Sequence, residues 1–314
     1  MPPDGDGRLP LNRHLSPSVG RGRAGGLGAL EPSLRALAET TVFFILAPPD
    51  VRRELALSTW AAGLPHVAFV GDATCAACDV RVELGEKDSW GLLPNKNFLA
   101  WPKLLAAYPS AERFVKVDTD GYLIAPNLFE ALALHTAVAG AEPDYMGHVF
   151  TWPPPADYAP EPQPPTNCDQ PIAYASGGAG YVVSRRAATV MATACTLDQS
   201  QGMEDILVGR CLCRAGITPV HHAGFLAEPV PAALHSWLVA PIFPNHHPDA
   251  AVPAAIIAVH GYKKELDFLA LDALVRAKDA SSLRHLRAAD GGAGRGRTPT
   301  DTRALWDVCC SEHP

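Results

Sequence analysis

No stretch constrains this chain more than Phe114-Val-Lys-Val-Asp-Thr-Asp-Gly-Tyr122. It reads as a hydrophobic strand ending in two carboxylates, Asp118 and Asp120, one residue apart. In an extended segment, side chains i and i+2 emerge on the same side. Both acids could therefore face one cation at a sheet edge. Hard divalent cations such as Mg²⁺ and Mn²⁺ take oxygen ligands, and with one or two protein carboxylates they commonly complete their shell with phosphate oxygens. The same pair could instead cap a turn ahead of Gly121, because D-x-D by itself is short and common.

The flanking pattern sets that strand in an α/β frame. Thr41 to Ala47 and His66 to Val70 read as strands. Asp50 to Trp60, opened by Pro49 with Asp50 as N-cap, reads as a helix. Phe98, Trp101, Leu104, Leu105 and Tyr108 recur at helical spacing within Asn97 to Tyr108, and Pro126 to His135 is a further helix. The alternation predicts a Rossmann-like, mostly parallel central sheet with flanking helices. Ligands gather beyond the carboxyl ends of strands in such sheets, which is where Asp118 and Asp120 fall. The stretch from Pro143 to Pro171 reads as a long proline-rich loop that either borders a second substrate or is surface ornament.

Three parts are expected: a Gly/Pro/Arg-rich disordered arm over residues 1–38, a folded domain over 39–277 and a poorly ordered tail over 278–314. The 314 residues carry 26 basic and 33 acidic side chains, a formal −7, with no long basic stripe, which argues against a nucleic-acid partner. No run of eighteen apolar residues marks a membrane span, and the first 28 residues lack the apolar core of a signal peptide. Eight cysteines fit disulfides in an oxidising compartment. Cys75-Ala-Ala-Cys78 also admits a zinc reading, although Cys211-x-Cys213 is a poor second half.

Three further segments carry chemistry. Tyr174-Ala-Ser-Gly-Gly-Ala-Gly-Tyr-Val-Val-Ser184 places three glycines ahead of a strand and a Ser184 helix cap. The glycines permit close backbone approach to a ligand or a tight turn; neither a P-loop nor a dinucleotide fingerprint fits their order. Glu204 and Asp205 open a predicted helix, where acids are favoured by the dipole. They could simply cap the helix, or one of them could turn inward as a general base. His260 ends the apolar run Ile256-Ile-Ala-Val, and imidazole suits Mn²⁺ as well as a structural role. His221-His222 and His246-His247 receive no assignment.

The ordered series matters more than any member. Ser58-Thr-Trp60, Trp101-Pro-Lys103, the Asp118–Asp120 strand with Asn127-Leu128, the Gly177-Gly178 loop, Glu204-Asp205 and Val259-His-Gly-Tyr262 follow one another over some 200 residues. This order resembles the Fringe-like β1,3-glycosyltransferases, especially the core 1 β1,3-galactosyltransferase branch. The resemblance covers about residues 41–276 and implies a GT-A fold. It implies inverting, Mn²⁺-dependent (or Mg²⁺-dependent) transfer of galactose or N-acetylglucosamine from a UDP-sugar to a glycan or glycoprotein hydroxyl, forming a β1,3 linkage. By the same resemblance Asp118, Asp120 and His260 hold the metal, and Asp205 is the base. Asp118, Lys116, Lys103, Gly177 and Gly178 lie along the nucleotide sugar, although Lys116 could equally form a structural ion pair. The family also pairs the cysteines at positions 195 and 211 and works in the Golgi or secretory lumen.

Three departures stand out: Thr119 replaces the middle member of the family's three aspartates, Gly121 replaces a residue that is commonly polar, and the usual membrane anchor is not seen. They leave a catalytically inactive, nucleotide-sugar-binding or chaperone-like homologue as the alternative.

Overall fold

Six of the seven strands in the central sheet run one way, and the exception is the strand after the glycine loop. The computed structural model describes residues 32–47, 52–152, 168, 171–195, 203–227 and 256–277. The sheet is built from β1 (Thr41–Leu46), β2 (Val67–Asp72), β3 (Val80–Val82), β4 (Arg113–Asp118), β6 (Tyr145–Gly147), β9 (Tyr181–Ser184) and β10 (Val220–His221), in spatial order β10-β6-β9-β4-β1-β2-β3. β1 pairs in parallel with β2 and β4, whereas β9 is antiparallel to both β4 and β6. This is the mostly parallel α/β sheet expected from the strand–helix alternation.

Burial on both faces explains the near-continuous apolar strands. Along β1, Phe43 and Ile45 enter one core, while Val42, Phe44 and Leu46 enter the other. Trp101, from α3 (Leu93–Ala107), sits fully buried edge-on to Phe44 and Phe114, with ring centroids 4.9 and 5.7 Å away. Its burial explains the helical apolar spacing, and a side chain of this kind adds about 1.5–3 kcal/mol of stability.

Several boundaries differ from the sequence reading. α1 (Pro32–Glu39) falls within the span expected as a flexible arm, because Leu34, Leu37 and Ala38 line one helical face and pack on the core. α2 covers only Arg53–Ser58, and the expected cap Asp50 lies outside the described residues. α4 extends to Ala125–Ala139 and stops at Gly140, whose φ of 75° is the left-handed helix end that glycine permits. The proline-rich stretch is not all loop. It contains β6 and β7 (Val149–Trp152), and β7 pairs antiparallel with β8 (Ile172–Ala175). Residues 1–31, 278–314, His246-His247 and Cys309-Cys310 are likewise outside the described residues.

α5 (Arg185–Thr193) starts at Ser184, whose hydroxyl accepts from the Ala187 amide at 3.2 Å, as expected. α6 (Glu204–Arg214) crosses β8 at Gly209; a methyl group there would lie 2.7 Å from the Ala173 carbonyl. A smaller sheet, β11 (Phe225–Leu226), β12 (Ala258–Val259) and β5 (Tyr122–Leu123), lies beside the end of β4. α7 (Glu265–Ala277) supports it, with Phe268 against Tyr122 and Asp272 accepting from the Tyr122 hydroxyl at 2.9 Å.

Cys195 and Cys211 are disulfide-bonded, the pairing implied by the family resemblance. Cys168–Cys213 adds a second bond near it. Cys75 and Cys78 are bonded to each other, which removes the zinc reading: those sulfurs are not available as thiolate ligands.

Candidate active site

β4 ends at Asp118, and Asp120 lies in the turn that follows, closed by the Gly121 amide donating to the Asp118 carbonyl at 3.0 Å. The two acids therefore converge through a turn rather than through the pleat of one strand. That turn leads into β5, which pairs antiparallel with β12, Tyr122 opposite Val259. The pairing delivers His260, 140 residues further along the chain, to the aspartates. The Tyr262 amide donates to the Asp120 carbonyl at 3.0 Å, and the Arg52 guanidinium donates to the carbonyls of Tyr262 and Lys263.

His260 Nε2 lies 3.2 Å from Asp120 Oδ1 and 3.9 Å from Asp118 Oδ2. One ligand atom from each residue falls within 4.8 Å of the other two. Nδ1 of the ring lies 3.2 Å from the Ala227 carbonyl. In the tautomer that donates there, the Nε2 lone pair faces the acids. All three side chains are partly exposed, at 20–28%. Two carboxylates and an imidazole are a donor set that suits Mn²⁺ or Mg²⁺ with further positions open to phosphate or water. Burial is the largest influence and works against ionisation of Asp120 and protonation of His260, but their hydrogen bond, their opposite charges and neighbouring groups together outweigh it, so Asp120 is lowered and His260 raised.

The second half of the site is buried. Lys116 shares a face of β4 with Asp118, and its ammonium lies 2.6 Å from Asp118 Oδ1 and 3.7 Å from Glu204 Oε2. It also donates to the Gly177 carbonyl at 2.8 Å. This is the internal ion-pair alternative, since Lys116 is fully buried. Burial disfavours its charge, but Asp118 and Glu204 more than restore it. Lys103 is exposed on α3, and no contact places it with the cluster among the described residues.

Glu204 and Asp205 both turn inward, which corrects the expectation that only one would. α6 begins against the glycine loop, so both side chains of its first two residues come close to Gly177. Glu204 is 4% exposed; its Oε1 accepts from the Tyr181 hydroxyl at 2.8 Å and from the Asn97 amide. Burial raises its pKa to about 7, with Lys116 opposing. Asp205 Oδ2 accepts from the Gly177 amide at 2.9 Å and Oδ1 from Ile206. Burial raises its pKa too, against the pull of that amide and of Lys116.

Two adjacent glycines join the halves. A methyl group on Gly177 would sit 2.7 Å from Glu204 Oε2, and one on Gly178 would sit 2.8 Å from His260 Cε1 and Nδ1. Sequence reasoning missed Glu204, Asn97 and Tyr181 as site-building groups. No short-range pattern marks Asn97 and Tyr181, whose contacts with Glu204 span 107 and 23 residues.

A family model described as galactosyltransferase matches residues 80–223. Over that segment the chain is similar to a glycosyltransferase family. The matched segment holds Asp118, Asp120, the glycine loop, Glu204 and Asp205, whereas His260 lies beyond it. The chain is 33% identical over 133 residues to human N-acetyllactosaminide beta-1,3-N-acetylglucosaminyltransferase 4, covering 39% of this chain and 32% of that protein. It is 31% identical over 145 residues to mouse lactosylceramide 1,3-N-acetyl-beta-D-glucosaminyltransferase, covering 45% and 38%. The matches thus span about a third of the length of these relatives. Among solved structures, a glycosyltransferase involved in glycosylation of the major capsid of PBCV-1 aligns over 78% of this chain and 98% of its own, at 14% identity and a TM-score of 0.34. A CMP:2-keto-3-deoxy-manno-octonic acid synthetase complexed with CTP aligns over 58% and 90%, at 14% identity and a TM-score of 0.33. Neither likeness bears on what the site does.

Proposed function

We propose that this chain is an inverting, metal-dependent glycosyltransferase. It moves galactose or N-acetylglucosamine from a UDP-sugar to a hydroxyl of a glycan or glycoprotein, forming a β1,3 linkage. The observation that carries this reading is the meeting of Asp118, Asp120 and His260 on one side of the Gly177-Gly178 loop, with Asp205 on the other. Asp118, Asp120 and His260 would hold Mn²⁺, which when bound supplies positive charge against the departing diphosphate.

Asp205 does the proton chemistry. The Gly177 and Ile206 amides fix its two oxygens without neutralising them. Burial lifts its basicity above that of an exposed aspartate, which improves a general base working near neutral pH. The acceptor hydroxyl passes its proton to Asp205 as its oxygen bonds to the anomeric carbon. The bond from that carbon to the UDP oxygen breaks on the opposite face, which inverts the configuration. Gly177 and Gly178, lacking side chains, let the sugar approach the backbone between base and metal.

The coarse similarity to two β1,3-N-acetylglucosaminyltransferases supports the linkage and admits N-acetylglucosamine as donor sugar. An oxidising, Golgi-type compartment agrees with three disulfides among the described residues. No helix among those residues is long and apolar enough to cross a membrane.

Donor hydrolysis and transfer should be screened across UDP-sugars with and without Mn²⁺. Asp205→Asn is expected to leave UDP binding near wild type while turnover falls by about 10²–10⁴-fold; retained turnover would remove Asp205 as base. Thr119, where the family usually has an acid, favours a second reading, that of an inactive binding homologue. Mn²⁺-dependent UDP binding without hydrolysis or transfer of any donor would select it.

A further inference from the structure

Lys116 touches both halves of the site. Its ammonium bonds a carboxylate of the candidate metal cluster, Asp118, and the carbonyl of Gly177. The amide of the same Gly177 holds the base, Asp205. Glu204 faces the ammonium from the far side and is itself fixed by Tyr181 and Asn97, both buried. Register explains why the group sits here: Lys116 is opposite Tyr181 in the β4–β9 pairing, and its charge lies 5.9 Å from that ring's centre. The Gly180 backbone presses on the Lys116 carbonyl, where an added methyl would come within 2.7 Å. Lys116 is thereby held at both its backbone and its tip.

We propose that Lys116 is a positioning residue, and that with Glu204 it forms a buried relay linking cation binding at Asp118 to the placement of Asp205. Resting on the metal-dependent transferase reading, the idea adds a role for two residues that touch neither substrate nor metal. The physical basis is competition for one charge. Asp118 Oδ1 and Glu204 Oε2 share a single ammonium in a region of low dielectric, where such interactions are strong. Asp118 keeps its other oxygen toward His260 for a cation. Loss of the Glu204 charge lets Lys116 commit to Asp118, which weakens that carboxylate as a metal ligand. The same shift moves the Gly177 peptide and with it the oxygen of Asp205.

The test uses the full chain and Mn²⁺ alone, followed by calorimetry without any sugar nucleotide. Glu204→Gln is expected to weaken Mn²⁺ binding about fivefold or more, the lower bound for energetic coupling between sites, and to lower kcat more than it raises KM. Glu142→Gln is the control. It breaks one of the two ion pairs of Arg113, at the opposite end of β4, and is expected to leave Mn²⁺ affinity within about twofold. In a Lys116→Met background, Glu204→Gln should lose most of its effect on Mn²⁺.

Equal Mn²⁺ affinity in Glu204→Gln and wild type, or strict additivity with Lys116→Met, overturns the relay and leaves the transferase reading standing. Should Lys116→Met not fold, the contrast between Glu204→Gln and Glu142→Gln decides by itself. A wild-type chain that binds no Mn²⁺ sinks the metal site and the relay together. A chain that binds Mn²⁺ and shows the coupling, yet transfers no sugar, supports the relay and removes only the transferase reading.

Discussion

Two acid clusters lie on either side of Gly177-Gly178, and each gathers carboxylates around nitrogen. Asp118 and Asp120 face an imidazole at the surface, with side chains about one-fifth exposed. Glu204 and Asp205 face an ammonium that is wholly buried. The outer cluster can exchange its positive partner with solvent, because water reaches it and its nitrogen is a titratable lone-pair donor. The inner cluster cannot, so its cation is built into the chain. The difference teaches that one part of the site is arranged to receive a charge and the other to hold one fixed.

Removing the built-in charge is the largest way to break this contrast. Lys116→Met leaves Glu204 and Asp118 uncompensated at a buried position, and one-sided loss of a buried pair typically costs about 3–5 kcal/mol. Urea unfolding should show that drop. His260→Ala should do the reverse. Mn²⁺ affinity is expected to fall by at least the roughly 10–100-fold that loss of a metal ligand's hydrogen-bond partner brings. Stability should change by less than about 1 kcal/mol, because the His260 ion pairs are partly exposed. Calorimetry and unfolding of one sample measure both.

Gly178→Ala sharpens the comparison further. Its new methyl would meet the His260 ring at 2.8 Å and leave the inner cluster alone, so Mn²⁺ binding should weaken with the melting temperature little changed. Gly177→Ala would strike Glu204 Oε2 instead and should destabilise the fold more than it disturbs metal binding.

The smallest effect is a pH slope. The folded pKa of Glu204, about 7, lies above its ordinary 4.5, so the folded state holds this proton more tightly than the unfolded state. Its contribution is fully present below about pH 4.5 and is lost as pH rises through about 7. Denaturation across that window should show a stability loss that flattens in Glu204→Gln.

The frame of this molecule was legible because its signals are local. The apolar runs of β1, β2 and β4, the helical spacing around Trp101 and the Ser184 cap each depend on residues a few positions apart. Local reading failed where pairing partners were remote. Val149-Phe-Thr-Trp152 looks like part of a proline-rich loop until β8 supplies its partner, and Leu34, Leu37 and Ala38 look like an arm until a core lies beside them.

By itself the sequence determined which groups carry chemistry: two acids at a strand end, an acid pair opening a helix, a glycine run and a histidine closing an apolar strand. It also determined the alternation that makes the sheet. Only the tertiary structure decided how those groups share charge. It turned Glu204 inward beside Asp205, buried Lys116 between Asp118 and Glu204, and brought His260 to Asp120 through β5 and β12. The reason is that burial and ion pairing are properties of three-dimensional neighbourhoods. A side chain's neighbours across 60 or 140 residues of chain are set by strand register and helix packing, which no short window of sequence contains.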